Sequence, residues 1–287
     1  MRVVVLSGKG GTGKSCVASS LALCAGAKKK LVLVDADADC PNQHLLFKGK
    51  ILRREEVYAS KIAVIIEEKC KLCLQCTEVC QFNAIRKRGS KIFIDPLACE
   101  GCGACVIACR ENALKLAPKF TGELVVKITN KFPLVYGRLK PGEAGSGKLV
   151  HKLRAMGDEI AKKENAETVL VDAPAGIGCP VIAAVAGCEY AIGVIEPTPA
   201  SIINLERALE VAKHFKIPYG VVLNKEGISG KYEGRIRRKF GKKLLASIPY
   251  DKEISILLAK GIPPAEGKGE GAKALRELGK VAGFLNY

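Results

Sequence analysis

The sequence predicts an α/β protein whose mostly parallel sheet is interrupted by one small α+β module. Three observations carry this expectation. Apolar segments at about 2–6, 31–35, 168–172, 190–195, 218–223 and 244–248 alternate with helical stretches, the order of a parallel sheet with right-handed crossovers. The first segment runs into a glycine-rich loop and then a helix. Eight of the 13 cysteines crowd between residues 70 and 109. A length of 287 residues suits one such domain carrying a smaller module. A hydrophobic content of 48% excludes a disordered chain, and no apolar run is long enough to span a bilayer. Met1-Arg2 leads straight into Val3-Val4-Val5-Leu6, so no signal peptide and a cytoplasmic location are expected. Cysteines in that compartment point to metal or redox chemistry rather than disulfides. A formal net charge of +17 asks for an anionic partner: nucleotide, nucleic acid, lipid or acidic protein.

The loop after the first strand reads Gly8-Lys9-Gly10-Gly11-Thr12-Gly13-Lys14-Ser15, followed by Cys16 in the helix. Gly8-x4-Gly13-Lys14-Ser15 is a full Walker A pattern between a strand and a helix. Its glycines let backbone N–H groups curl around phosphate oxygens, and the helix N-terminus favours the anion. Lys14 bridges the terminal phosphates, and the Ser15 hydroxyl serves Mg²⁺.

The cysteine block holds two copies of one pattern. Cys70-x2-Cys73-x2-Cys76-x3-Cys80 is followed by Cys99-x2-Cys102-x2-Cys105-x3-Cys109 at a constant offset of 29 residues. The same offset relates Asn83 to Asn112, Ala84 to Ala113 and Ile85 to Leu114, so the module is an internal duplication. A cubane cluster takes three thiolates from one tight loop, and the fourth Cys of such a run ligates the other cluster. This assigns Cys70, Cys73, Cys76 and Cys109 to one [4Fe–4S] cluster, and Cys99, Cys102, Cys105 and Cys80 to a second. Zinc sites usually pair CxxC units across a longer gap, which disfavours two zinc knuckles. These residues closely resemble a bacterial-type two-cluster ferredoxin.

Lys9 to Ser15 resembles the deviant Walker motif of the MinD/ParA/Mrp group. That resemblance implies that Lys9 reaches across a dimer interface to the partner's nucleotide. The group's other parts follow in order. Asp35-Ala36-Asp37-Ala38-Asp39 ends a strand and resembles switch I: Asp37 then positions the attacking water and Asp35 supports Mg²⁺ through water. Asp172-Ala173-Pro174-Ala175-Gly176 resembles switch II, with Asp172 in the Mg²⁺ shell and the Gly176 N–H sensing the γ-phosphate. Asn224 matches the base-recognition Asn, and Pro249-Tyr250-Asp251 the loop over adenine. The whole chain thus resembles the MinD-superfamily P-loop ATPases with an inserted ferredoxin domain. The implied fold is an α/β P-loop NTPase core of residues 1–61 and 120–287, carrying an α+β ferredoxin-like module at 62–119. The implied activity is slow, partner-stimulated hydrolysis of Mg-ATP to ADP and phosphate by a nucleotide-dependent homodimer, or a heterodimer with a paralogue.

Other features are weighed against plainer roles. Cys179 stands seven residues after Asp172, where the resemblance admits a bridging cluster, but a buried or partner-facing thiol is the expectation. Cys188, Cys16 and Cys24 read as packing residues, and Cys40 lies near the nucleotide. Gly142 to Leu149 imitates a second phosphate loop but ends in Leu149, so it reads as a surface loop. Lys231, Arg235, Arg237, Arg238, Lys239, Lys242 and Lys243 form a basic stretch that suits a solvated helix face better than nucleic acid. Leu275, Leu278, Val281, Ala282 and Leu285 read as a core-packing last helix rather than a membrane anchor.

Three functions compete: an ATP-driven redox switch with a redox protein partner, an iron–sulfur or metallocofactor carrier that hands a cluster to an acceptor, and a redox-sensing positioning ATPase. The first leads, because both cysteine sets are complete. The residue after the fourth Cys, Pro in two-cluster ferredoxins, is Gln81 in one copy and Arg110 in the other. Each adds a backbone N–H, and Arg110 adds positive charge, so both reduction potentials are expected to be raised. Protein-film voltammetry checks this; two couples as low as those of Pro-containing relatives would contradict it.

Overall fold

Arg2-Val3-Val4-Val5-Leu6 is β-branched and apolar on both faces, as a strand covered on both sides must be, and it forms β1 (Arg2–Leu6) near the centre of a nine-stranded sheet. The structure, a computed structural model, describes residues 1–26, 30–143 and 146–281. After β1 come α1 (Lys14–Gly26), β2 (Leu31–Asp35), α2 (Gln43–Leu46) and β3 (Gly49–Val57). The cysteine-rich segment supplies β4 (Ser60–Ile65), α3 (Gln75–Glu78), β5 (Ile85–Arg88), β6 (Lys91–Ile94), α4 (Ala104–Ala108) and β7 (Leu114–Lys119). The chain continues through β8 (Gly122–Thr129), β9 (Pro133–Leu139), α5 (Ser146–Glu164), β10 (Thr168–Asp172), α6 (Cys179–Val185) and β11 (Tyr190–Ile195). It ends with α7 (Pro199–His214), β12 (Tyr219–Glu226), α8 (Gly230–Phe240), β13 (Leu244–Pro249), α9 (Lys252–Ala259) and α10 (Glu270–Val281).

Two compact units result. The first comprises Met1–Glu55, Leu124–Arg138 and Ser146–Tyr287; the second comprises Glu56–Glu123 and Leu139–Gly145. The second is wider than the 62–119 read from the cysteines because Thr121 and Glu143 tie extra chain to it. Thr121 donates its N–H and hydroxyl to Val57 O, at 2.8 Å each, and Glu143 pairs with Lys119 at 2.9 Å.

In the first unit the strand order is β13-β12-β11-β1-β10-β2-β9-β8-β3, parallel from β13 to β9. The order reverses around β1, and open sheets of this kind bind ligands outside the strand ends at such a point. Val3, Val5, Leu33, Leu170 and Ile192 join Val17 and Leu21 of α1 and Leu275 and Leu278 of α10 in one core. Leu275 and Leu278 are thus packing residues; Ala282, Leu285 and the Val281 side chain lie outside the described residues. So do Ala144 and Gly145 of the imitation loop, while Ser146 to Leu149 open α5. In α8, Ile236 and Phe240 face inward, and two of the basic residues are paired, Arg237 with Glu226 and Lys239 with Glu206. Among the described residues no helix is long and apolar enough to cross a membrane.

The second unit contains two antiparallel pairs, β4 with β7 and β5 with β6. Its duplication extends to the backbone. Leu72 and Gly101, Leu74 and Gly103, and Asn83 and Asn112 are pairs at the 29-residue offset, and all six residues have positive φ.

Candidate functional site

Residues 7–13 lead from β1 into α1, and two glycines there have no substitute. A Cβ on Gly8 would lie 2.0 Å from the Asn204 carbonyl carbon, and one on Gly13 (φ +89°) would lie 2.1 Å from Asn224 Nδ2. Asn224 itself donates to Thr12 O at 2.7 Å, so the end of β12 is laced to the loop. The loop borders a cleft of about 550 Å³ lined by Lys9 to Cys16, Asp37, Ala175, Asn224, Lys225, Pro249, Tyr250 and Asp251. Leu45, Leu46, Ile254 and Leu258 add an apolar wall. Most of the residues expected to hold nucleotide are therefore brought together. Four are not in the lining. Gly8 packs against α7, Gly176 N–H donates to Ser7 O at 3.0 Å, and Asp35 and Asp172 are buried. The Asp251 carboxylate is already spent, accepting from Glu253 N at 2.8 Å and Gly271 N at 3.0 Å. Tyr250 stands on the rim, 53% exposed.

Beneath the cleft is a buried charge cluster. Register pairs Asp35 with Asp172 at neighbouring strand ends. Lys14 Nζ lies 2.7 Å from Asp172 Oδ1, with 6% of the lysine side chain exposed. Gln43 Nε2 donates to Asp172 Oδ2 at 2.7 Å and to Ser15 O at 3.0 Å. Asp35 accepts from the backbone of Asp37 at 3.2 Å, Asn42 at 2.9 Å and Gln43 at 3.0 Å. Burial and then the charge of Asp172 push Asp35 up to about 7, against the pull of those N–H groups and Lys14. Asp37 is raised too, by burial first, with Lys14 opposing. Burial disfavours the Lys14 cation, yet its pairing with Asp172 leaves it raised. Two crowded carboxylates with one lysine paired to Asp172, beside the Ser15 hydroxyl, are hard oxygen donors one positive charge short, and they fit Mg²⁺.

Gln43 and Glu196 are functional candidates that the sequence reading missed. No motif marks Gln43. Glu196 carried a faint signal, as an acid ending a strand just before Pro197; it pairs with Lys9 at 2.5 Å and with Lys225 at 2.7 Å.

In the second unit the cysteines line two cavities. One is bounded by Cys70, Cys73, Cys76 and Cys109, the other by Cys80, Cys99, Cys102 and Cys105. Burial, then the proximity of Cys70, Cys73 and Cys109, raises the Cys76 thiol; Cys105 is raised by burial, then by Cys99 and Cys102. Ala84 N donates to Cys80 Sγ and Ala113 N to Cys109 Sγ, both at 3.3 Å. Among the described residues no three His, Cys, Asp or Glu side chains converge on one metal ion. A cubane is several atoms wide and holds its thiolates further apart than a single ion does, so the sets suit a cluster. Cys179 is exposed at the start of α6. Burial pushes Cys188 up to about 11, and its thiol donates to Ala184 O at 3.3 Å. Burial likewise pushes Cys16 up to about 12, in keeping with a packing role.

Residues 3–264 match the model of the CbiA family, the CobQ/CobB/MinD/ParA nucleotide-binding domain. The chain belongs to this family. An uncharacterized protein of Methanocaldococcus jannaschii is 34% identical over 278 residues, covering 97% of this chain and 95% of its own. The iron-sulfur cluster carrier protein of Pyrococcus abyssi is 24% identical over 296 residues, covering 96% and 83%. Among solved structures, the Mg-ADP complex of the septum site-determining protein MinD from Pyrococcus horikoshii superposes with a TM-score of 0.61 at 19% identity, covering 99% of this chain and 96% of that one. The CbiA-family fold accounts for the parallel sheet and for a phosphate loop at its reversal point.

Lys14→Ala should destabilise the protein by about 3–5 kcal/mol at pH 8, because two buried carboxylates lose their cation. The loss should shrink at pH 5. Folded Asp35 titrates above its unfolded value, so its contribution is full below about pH 4 and fades as pH rises through about 7. Removing Lys14 extends that fade upward. Denaturant titrations at both pH values check this; equal losses would contradict it.

Proposed function

We propose that this protein is an ATP-hydrolysing iron–sulfur protein in which a nucleotide-switched dimer couples ATP to electron transfer through two [4Fe–4S] clusters. The observation that carries the reading is one chain holding both a glycine-rich phosphate loop in its cleft and two cavities each lined by four cysteines. Lys14 and the loop N–H groups bind the phosphates, and Ser15, Asp35 and Asp172 serve Mg²⁺ directly or through water. Asp37 orients the attacking water, and Lys9 reaches the nucleotide of a second subunit. Asn224 and the loop Pro249-Tyr250-Asp251 hold the base. Cys70, Cys73, Cys76 and Cys109 hold one cluster, and Cys99, Cys102, Cys105 and Cys80 the other, within a module at 62–119. The clusters supply one-electron storage in a reducing cytoplasm, and a redox protein is the partner.

A second reading, a carrier that hands a cluster to an acceptor protein, is favoured by the Pyrococcus abyssi relative. Four thiolates at each site favour resident clusters. Anaerobic reconstitution should give about eight iron and eight sulfide per chain, with both clusters retained against an apo-acceptor. A count near four, or loss of a cluster to the acceptor, would overturn the reading.

A further inference from the structure

Glu196 directly follows β11 and is 7% exposed. Two ammonium groups share its carboxylate, Lys9 Nζ at 2.5 Å from Oε1 and Lys225 Nζ at 2.7 Å from Oε2. Burial opposes the charge of Glu196, but hydrogen bonds from Lys225 and Lys9 hold its carboxyl below the usual range. The two lysines are not equivalent. Lys225 also donates to Gly11 O at 2.7 Å and so is anchored to the phosphate loop. Lys9 and Lys225 are about equally open to solvent, 34% and 32% of their side chains, and Lys9 carries no such second anchor among the described residues. A buried carboxylate stripped of every cation is costly, but one that keeps a single lysine stays paired. Lys9 is therefore the cation that can leave.

We propose that Glu196 is a dock, within the same subunit, for Lys9: it retains this lysine until the phosphates of a second subunit's nucleotide outcompete it, and Lys225 then keeps the carboxylate paired. This rests on the reading above, in which Lys9 crosses to a partner. Glu196 is a positioning residue on this account, and it sets the threshold for association rather than touching nucleotide. Two substitutions then act with opposite signs. Glu196→Gln keeps the shape but releases Lys9, which favours association. Lys225→Met leaves Lys9 as the carboxylate's one cation among the described residues, holds it more firmly, and disfavours association.

Sedimentation velocity of the full, cluster-loaded chain with Mg²⁺ and a slowly hydrolysed ATP analogue tests this, with nucleotide saturation checked separately for each variant. The dimer Kd should fall about 5- to 20-fold in Glu196→Gln and rise by a similar factor in Lys225→Met. An unchanged or raised Kd in Glu196→Gln, or an unchanged or lowered one in Lys225→Met, would overturn the dock. A wild-type chain that stays monomeric with the analogue would instead overturn the dimer reading on which the dock rests.

Discussion

Two buried carboxylates, Asp35 and Asp172, stand at neighbouring strand ends with one ammonium group beside them, Lys14, 2.7 Å from Asp172 Oδ1. Much of the nucleotide-binding unit is organised around that imbalance. The parallel pairing of β2 with β10 forces the acids together, and the Asn42 and Gln43 N–H groups partly neutralise Asp35. Gln43 ties Asp172 to the loop carbonyl of Ser15. On the proposed reading, a cation-poor acidic pair under a phosphate loop would hold the magnesium of a nucleotide, and Lys14 would serve the phosphates.

The cysteine cavities obey the same constraint in a softer chemistry. Burial and the neighbouring cysteines make the Cys76 and Cys105 thiols reluctant to lose their protons, and on the proposed reading the positive charge of iron favours their thiolates. Each oxidised cluster with its thiolates carries about −2, so the proposed loading of both sites would lower the formal +17 to about +13. On the proposed reading, part of the basic excess is a counterweight to the clusters and phosphates, and the rest leaves room for an acidic partner.

Most of the sheet's parallel core was legible because the apolar segments that became β1, β2, β10, β11 and β12 are largely buried on both faces, whereas β9 was not read as a strand. The edge opposite β13 was not legible: β3, Gly-Lys-Ile-Leu-Arg-Arg-Glu-Glu-Val, is charged and largely exposed, and so lacks the alternation that marks a strand. The phosphate loop and the two cysteine quartets could be read from spacing, because backbone curvature and ligand reach depend on spacing, while Asn224 was read from the family resemblance. Gln43 and Glu196 could not. Their partners lie 129 residues away for Gln43 and Asp172, and 187 residues away for Glu196 and Lys9, and only the folded chain brings each pair together.

The central claim is that nucleotide and clusters are energetically linked. Spectroelectrochemical titration of the reconstituted protein, with and without a saturating magnesium complex of a slowly hydrolysed ATP analogue, measures this directly. A tenfold coupling corresponds to about 59 mV for a one-electron couple. The account predicts a shift of that order in at least one cluster potential, abolished in Lys14→Ala. Identical potentials in both states of the wild-type protein would contradict it.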